Sequence, residues 1–302
     1  MALKILVTGS SGFIGSNLCK LLRSRGHQVL GVDLADGADF VADINDFDWS
    51  LIEFEELDGV VHLAAKTSVP ESVLMPDMYH RTNVEATRRL FNWCSKKGVV
   101  KIIFASSAAV YGDTDVNVKR VGQEGELGSP YAVTKLTGEE ICKKLTSNLS
   151  NFIPLRFFNV YGEGQNVDSG YSAVIPAFID RAINGENLSI YGDGNQTRDF
   201  VHVIDVVKSI LGALENDIGK NTVLNIGTGR GTSVIDLAKT ILEVLENNGL
   251  SKPEIEFLPV RDGDLDHSIA DTQGLSQILN TEEMILLTDG INELVGQKIS
   301  SI

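Results

Sequence analysis

Cationic residues are scarce. Against 41 aspartates and glutamates the chain carries only 26 lysines and arginines, a formal net charge of −15, so the field of the whole molecule repels nucleic acid and anionic membrane surfaces alike. Any anionic ligand must be held by local features. Cysteine is equally rare: Cys19, Cys94 and Cys142 are three scattered thiols with no CxxC pairing, which gives no metal site and no disulfide framework and fits a reducing compartment. No apolar run approaches the length of a membrane span. The one in "MALKILVTGS" is too short for a secretory signal and leads into glycines. A cytoplasmic location is expected, with no membrane or nucleic-acid partner. No internal repeat or low-complexity tract interrupts the chain.

What is present is a regular alternation. "LKILVTG" (3–9), "HQVLGVD" (27–33), "LDGVVHLAA" (57–65), "VVKIIFASS" (99–107) and "NFIPLRFFN" (151–159) are dense in Val, Ile, Leu and Phe without polar alternation, as strands buried on both faces of a parallel sheet read. Helical patterns fall between them at about 13–25, 77–97 and 130–147. Strand and helix in succession imply right-handed βαβ units and an α/β, doubly wound parallel sheet. From about 163 the texture changes to Gly/Asn/Asp-rich loops, followed by expected helices near 173–184, 203–215, 233–246 and 281–297 and a strand at 222–226. The expected division is a Rossmann-type dinucleotide domain, 1–162 with about 199–230, and a smaller α/β lobe for the substrate, about 163–198 with 231–302.

"VTGSSGFIG" closes the first strand and opens the first helix, placing Gly9, Gly12 and Gly15 as G-x-x-G-x-x-G. Glycines there permit a tight turn and let backbone amides reach a pyrophosphate, while the helix N-terminus adds partial positive charge. Asp33 ends the second strand where a carboxylate accepts hydrogen bonds from the adenosine ribose, and it repels a 2′-phosphate. NAD is therefore favoured over NADP. Further along, "SPYAVTK" (129–135) offers Ser129 as a helix cap and Pro130 as the first helical residue, which sets Tyr131 and Lys135 one turn apart on one face.

Taken together in fixed order, "TGSSGFIG", "DI" (43–44), "HLAA" (62–65), Asn83 in "TNV", "SSAAVYG" (106–112), "YAVTK", "PLRFFNVYG" (154–162), "YGDGNQTRDFVHVIDV" (191–206) and "RDGD" (261–264) resemble the extended short-chain dehydrogenase/reductases, specifically the NAD-dependent nucleotide-sugar epimerase/dehydratase group. The resemblance covers nearly the whole chain, from Leu3 to about residue 272. It implies that Gly9, Gly12, Phe13, Ile14 and Gly15 hold the pyrophosphate, with Asp33 on the ribose. Asp43 and Ile44 would flank adenine, Leu63, Ala64, Ala65, Ser106 and Phe158 would line the cofactor cleft, and Asn83 would support it. Only about nine residues separate Asp33 from Asp43, a shorter excursion than relatives commonly have.

The same resemblance makes Tyr131 the base, with Lys135 on the nicotinamide ribose and Ser107 on the substrate hydroxyl. An ordinary tyrosine is too weakly acidic for that task at neutral pH. Lys135, the helix N-terminus and the oxidised cofactor ring are the features expected to lower it. Asn159, Ala173, Val174, Arg198, Arg261 and Ser268 fall where relatives hold the nucleotide-sugar, with the arginines suited to a diphosphate. Dehydratases of this group carry an acidic pair where this chain has Ala108 and Ala109, and decarboxylases tend to place a glutamate there. The implied activity is therefore C4 epimerisation of a UDP-sugar, and the small Ser268 leaves room for an N-acetylhexosamine. UDP-glucuronate epimerisation, dehydration, decarboxylation and a silent NAD-sensing role are the alternatives. The resemblance implies that the helices at 77–97 and 130–147 pair with their copies in a homodimer; the alternative is that both simply pack on the sheet.

Overall fold

A computed structural model describes residues 2–52, 57–114, 116–165, 174–260, 266–279 and 284–300. The first half runs β1 (Lys4–Thr8), α1 (Phe13–Ser24), β2 (Gln28–Asp33), β3 (Phe40–Val41), β4 (Gly59–His62), α2 (Val69–Leu74), α3 (Pro76–His80), α4 (Thr87–Lys97), β5 (Lys101–Ser107), β6 (Val118–Lys119), α5 (Pro130–Leu145), β7 (Asn151–Phe157) and β8 (Asn159–Tyr161). The second half continues with α6 (Val174–Ile183), β9 (Leu188–Tyr191), β10 (Thr197–Arg198), β11 (Phe200–His202), α7 (Val203–Glu215), β12 (Leu224–Ile226), β13 (Thr232–Ser233), α8 (Val234–Asn247), β14 (Ile255–Leu258), β15 (His267–Ala270) and α9 (Leu287–Ser300).

The apolar runs form one seven-stranded sheet in the order β12-β7-β5-β4-β1-β2-β3, parallel throughout. Side-chain alternation divides each strand between two cores. Ile5 and Val7 face α1 and α7, while Leu6, with Val60 and Ile102, faces α4 and α5. Both faces are covered, which is why these strands lack polar alternation. A third core joins α6, α8, α9 and β9, and a four-stranded sheet, β13-β10-β15-β6, lies beyond. The three cysteines are buried and free.

The single helix expected over 77–97 is interrupted. Between α3 and α4, Arg81–Ala86 is π-helical, and such an insertion is favoured where a side chain must be re-aimed. The C-terminal helix begins at Leu287 and runs to Ser300, later than expected; residues 281–283 lie outside the described residues. Apart from β12, which falls within the strand expected at 222–226, the strands of two or three residues escaped the periodicity because so short a run has no measurable period. Among the described residues no helix is long and apolar enough to cross a membrane, and no cluster of His, Cys, Asp or Glu suits a metal.

Candidate active site

The glycine turn behaves as its residue types require. Gly9 has φ +71, and a Cβ there would sit 2.7 Å from the Ala64 nitrogen. A Cβ on Gly15 would stand 1.9 Å from the Gly9 carbonyl oxygen, so α1 packs on the turn only because both positions are glycine. Gly12 caps α1 with no side-chain hydrogen bond, leaving the amides of the first turn, at Phe13 and Ile14, for a ligand. Asp33 accepts from Ser11 N at 2.9 Å and Ala35 N at 3.0 Å, which fixes its carboxylate beside the turn. The cradle fits a dinucleotide pyrophosphate with an acidic ribose contact. Asp43 organises its own turn, accepting from Asn45 N and Nδ2 at 2.8 Å, and the Ile44 side chain is buried in the α4-side core.

The carboxyl edge of the sheet carries the second group. Ser107 ends β5 and Tyr131 is the second residue of α5, which sets the phenol beside the Ser107 side chain. The Ser129 hydroxyl accepts the Ala132 N–H at 3.2 Å, and Pro130 is the first helical residue, as their residue types suggest. The Tyr131 N–H, one of the donors a helix start leaves unpaired, donates to Ser72 Oγ at 3.2 Å. Lys135 is buried one turn along and donates to the Ala105 carbonyl at 2.7 Å, its Nζ 5.8 Å from the Tyr131 ring centre.

The electrostatics differ from the expectation. Burial pushes the Tyr131 phenol above its ordinary value, and the neighbouring Ser107 side chain only partly opposes it. The Lys135 ammonium is turned to the Ala105 carbonyl and is itself pushed down to about 8 by burial. Desolvation is the largest influence on both groups.

The Ser106 side chain is engaged within the protein. Its hydroxyl donates to Glu139 Oε1 at 2.5 Å, and Glu139 in turn receives Arg156 Nε at 2.9 Å and Nη2 at 2.7 Å. Alternation along β5 aims Ser106 away from the face Ser107 presents. Glu139 and Arg156 were not singled out from the sequence; the i+4 step from Lys135 to Glu139 along a buried face was the available signal. Asn83 lies in the π-helical turn, where its amide grips the Lys66 backbone (2.8 Å and 2.9 Å) and Thr134 Oγ1 (3.1 Å). Ala64 N donates to Thr8 Oγ1 at 3.3 Å and Leu63 N to the Thr8 carbonyl at 3.1 Å, with Ala65 half-buried behind them.

Phe158 packs with Val110, Tyr111, Ala108, Leu136 and Ala270, which brings β15 against the Ser107 turn. Ser268 is two residues earlier on the same face and pairs in register with Arg198. Asp199, also missed, is fully buried and accepts from Thr228 N, Gly229 N and Ala270 N, tying that strand to the loop after β12. Asn159 is exposed at the start of β8 and pairs with Phe200. Val174 starts α6. Ala173 and Arg261 lie outside the described residues. A cavity of about 840 Å³ is lined by Tyr191, Gln196 and His267, not by Tyr131.

Residues 5–227 match the model of the NAD-dependent epimerase/dehydratase family. The chain is 37% identical to a putative UDP-glucose 4-epimerase of Methanocaldococcus jannaschii, over 97% of either chain. Its fold is similar to a UDP-N-acetylglucosamine 4-epimerase of Methanobrevibacter ruminantium M1 (TM-score 0.91, 32% identity, 100% of this chain and 99% of that one). It is also similar to a UDP-glucose 4-epimerase of Thermus thermophilus in complex with NAD (TM-score 0.86, 27% identity, 99% and 100%). With a turn that admits only glycine at Gly9 and Gly15, Asp33 fixed beside it, and this breadth of similarity, the chain belongs to the NAD-dependent epimerase/dehydratase family.

Proposed function

We propose that the chain inverts C4 of a UDP-hexose or UDP-N-acetylhexosamine through a transient 4-keto sugar. The observation that carries the reading is the placing of Ser107 at the end of β5 beside Tyr131 at the start of α5, with Lys135 one turn along and Ala108 and Ala109 following Ser107 in the chain. Tyr131 takes the proton of the sugar 4-hydroxyl and returns it after inversion, while Ser107 holds the same oxygen. Lys135 anchors the cofactor ribose. When bound, NAD supplies the hydride acceptor and then donor for C4, and its oxidised ring supplies positive charge that offsets the burial penalty on a phenolate. Two alanines transfer no protons, so the site favours simple inversion over loss of water or carbon dioxide.

The remaining residues hold the nucleotide while the sugar turns. Arg198 and Arg261 take the diphosphate, and Asn159, Ala173 and Val174 flank the nucleotide-sugar. Ser268 leaves space for an N-acetyl group. In this reading residues 1–162 with about 199–230 carry the cofactor, and 163–198 with 231–302 carry the substrate. The test is incubation with UDP-glucose, UDP-N-acetylglucosamine and UDP-glucuronate followed by separation of epimers. Interconversion of C4 epimers supports the reading; release of water or carbon dioxide, or no turnover with NAD bound, overturns it. Tyr131→Phe should lower kcat by about a hundredfold or more while retaining NAD.

A further inference from the structure

His62 ends β4 and is 2% exposed. Its ring stacks on Phe104 and meets Phe91 edge-on, at centroid distances of 6.0 Å and 5.5 Å. Both ring nitrogens are engaged, Nδ1 with Thr8 Oγ1 at 2.7 Å and Nε2 with Thr87 Oγ1 at 2.8 Å. Proton counting assigns their directions. Thr87 gives its one hydroxyl hydrogen to the Asn83 carbonyl at 2.8 Å, so it can only accept from His62, and the ring proton is on Nε2. Nδ1 then accepts from Thr8, whose oxygen is left to accept the Ala64 N–H at 3.3 Å. A single neutral tautomer satisfies every group. Burial, reinforced by the charge of Lys135, pushes the imidazole down to about 3, so it stays neutral in ordinary buffers.

The two ends of this chain of hydrogen bonds reach different parts of the site. Thr8 precedes Gly9 at the point where the Ala64 backbone presses on the glycine turn. At the other end the Asn83 amide donates to Thr134 Oγ1 at 3.1 Å, and Thr134 donates to the Tyr131 carbonyl at 2.7 Å. An apolar ring in place of His62 would fill the same space and leave two buried threonines short of a partner. We propose that His62 is a positioning residue, a neutral relay that fixes the cofactor cradle and the Tyr131 helix relative to each other. The role for Tyr131 rests on the function proposed above; the link to the cradle does not.

The experiment uses the full chain. His62→Phe keeps the ring and removes both hydrogen bonds, Thr87→Val cuts the relay on its far side, and His62→Gln restores one acceptor and one donor. NAD affinity is read by calorimetry, kcat and KM by UDP-glucose interconversion. His62→Phe and Thr87→Val should each weaken NAD binding and lower kcat by roughly ten- to a hundredfold, with KM for the sugar within about twofold. The double variant should be no worse than the more damaging single one, since both break one path. His62→Gln should recover most of the loss. Nitrogen-15 NMR of the wild type should show His62 neutral and protonated on Nε2. Unchanged NAD affinity and kcat, additive losses, lowered thermal stability alone, or a proton on Nδ1 would each overturn the relay. If His62→Phe does not fold, Thr87→Val and the tautomer decide. If the wild type binds NAD but interconverts no sugar, the functional reading fails while the NAD and NMR arms still judge the relay.

Discussion

Lys135 places a charge where the fold disfavours it. Burial pushes its ammonium from 10.5 to about 8, so between those values the unfolded chain binds a proton that the folded chain releases. Stability attributable to this group therefore rises with pH across the window, the opposite of a salt-bridged lysine. From the two values, charging Lys135 in the fold costs about 3 kcal/mol at pH 7.5 and about 1 kcal/mol at pH 10. Lys135→Met keeps length and apolar contact and removes the titration. The substitution also orphans the Ala105 carbonyl, which accepts from Nζ at 2.7 Å, but that cost does not depend on pH. Urea unfolding of wild type and variant at both pH values gives the gap between them. The wild type should gain about 2 kcal/mol on the variant from pH 7.5 to pH 10. Tyr131 confuses the comparison little, because burial holds its phenol above the ordinary value. A gap that stays level would mean that Lys135 titrates in the fold as it does in the open chain, and desolvation would not be the cause of its shift.

His62 carries the acid counterpart. Its folded value of about 3 lies below the ordinary 6.5, so wild-type stability should fall as pH drops from about 6.5 toward 3, and His62→Gln should flatten that limb in acid unfolding curves. Glu139→Gln deprives the buried Arg156, 2% exposed, of its bidentate carboxylate and leaves Glu124 as its ion-pair partner, so it should cost about 1–3 kcal/mol in urea unfolding. The double change Glu139→Leu with Arg156→Met should recover much of it. Gly15→Ala puts a methyl 1.9 Å from the Gly9 carbonyl oxygen, so the turn must open; loss of measurable NAD binding by calorimetry is expected, and retained affinity would mean the cradle is not the pyrophosphate site.

The parts legible in the sequence were those written in neighbouring residues. β1, β2, β4, β5 and β7 were readable because both faces are buried and the runs are apolar throughout. The Gly9–Gly12–Gly15 turn was readable from its spacing, and the start of α5 from Ser129 and Pro130. The break at Arg81–Ala86 was not, because 77–97 has helical periodicity on either side of it. His62 stood in a quoted motif without a task, since nothing in "HLAA" says that Thr8 and Thr87, 54 and 25 residues away, close on its two nitrogens.

By itself the sequence determined the strand–helix alternation, the glycine turn and the helical step from Tyr131 to Lys135, since apolar periodicity, caps and backbone freedom act over a few residues. Only the tertiary structure decided that Ser106 turns to Glu139, that His62 links two elements of the site, and that Tyr131 is pushed up rather than down. Desolvation and the pairing of buried polar groups depend on atoms supplied by distant segments, and those are brought together only when the sheet and its two helical layers close.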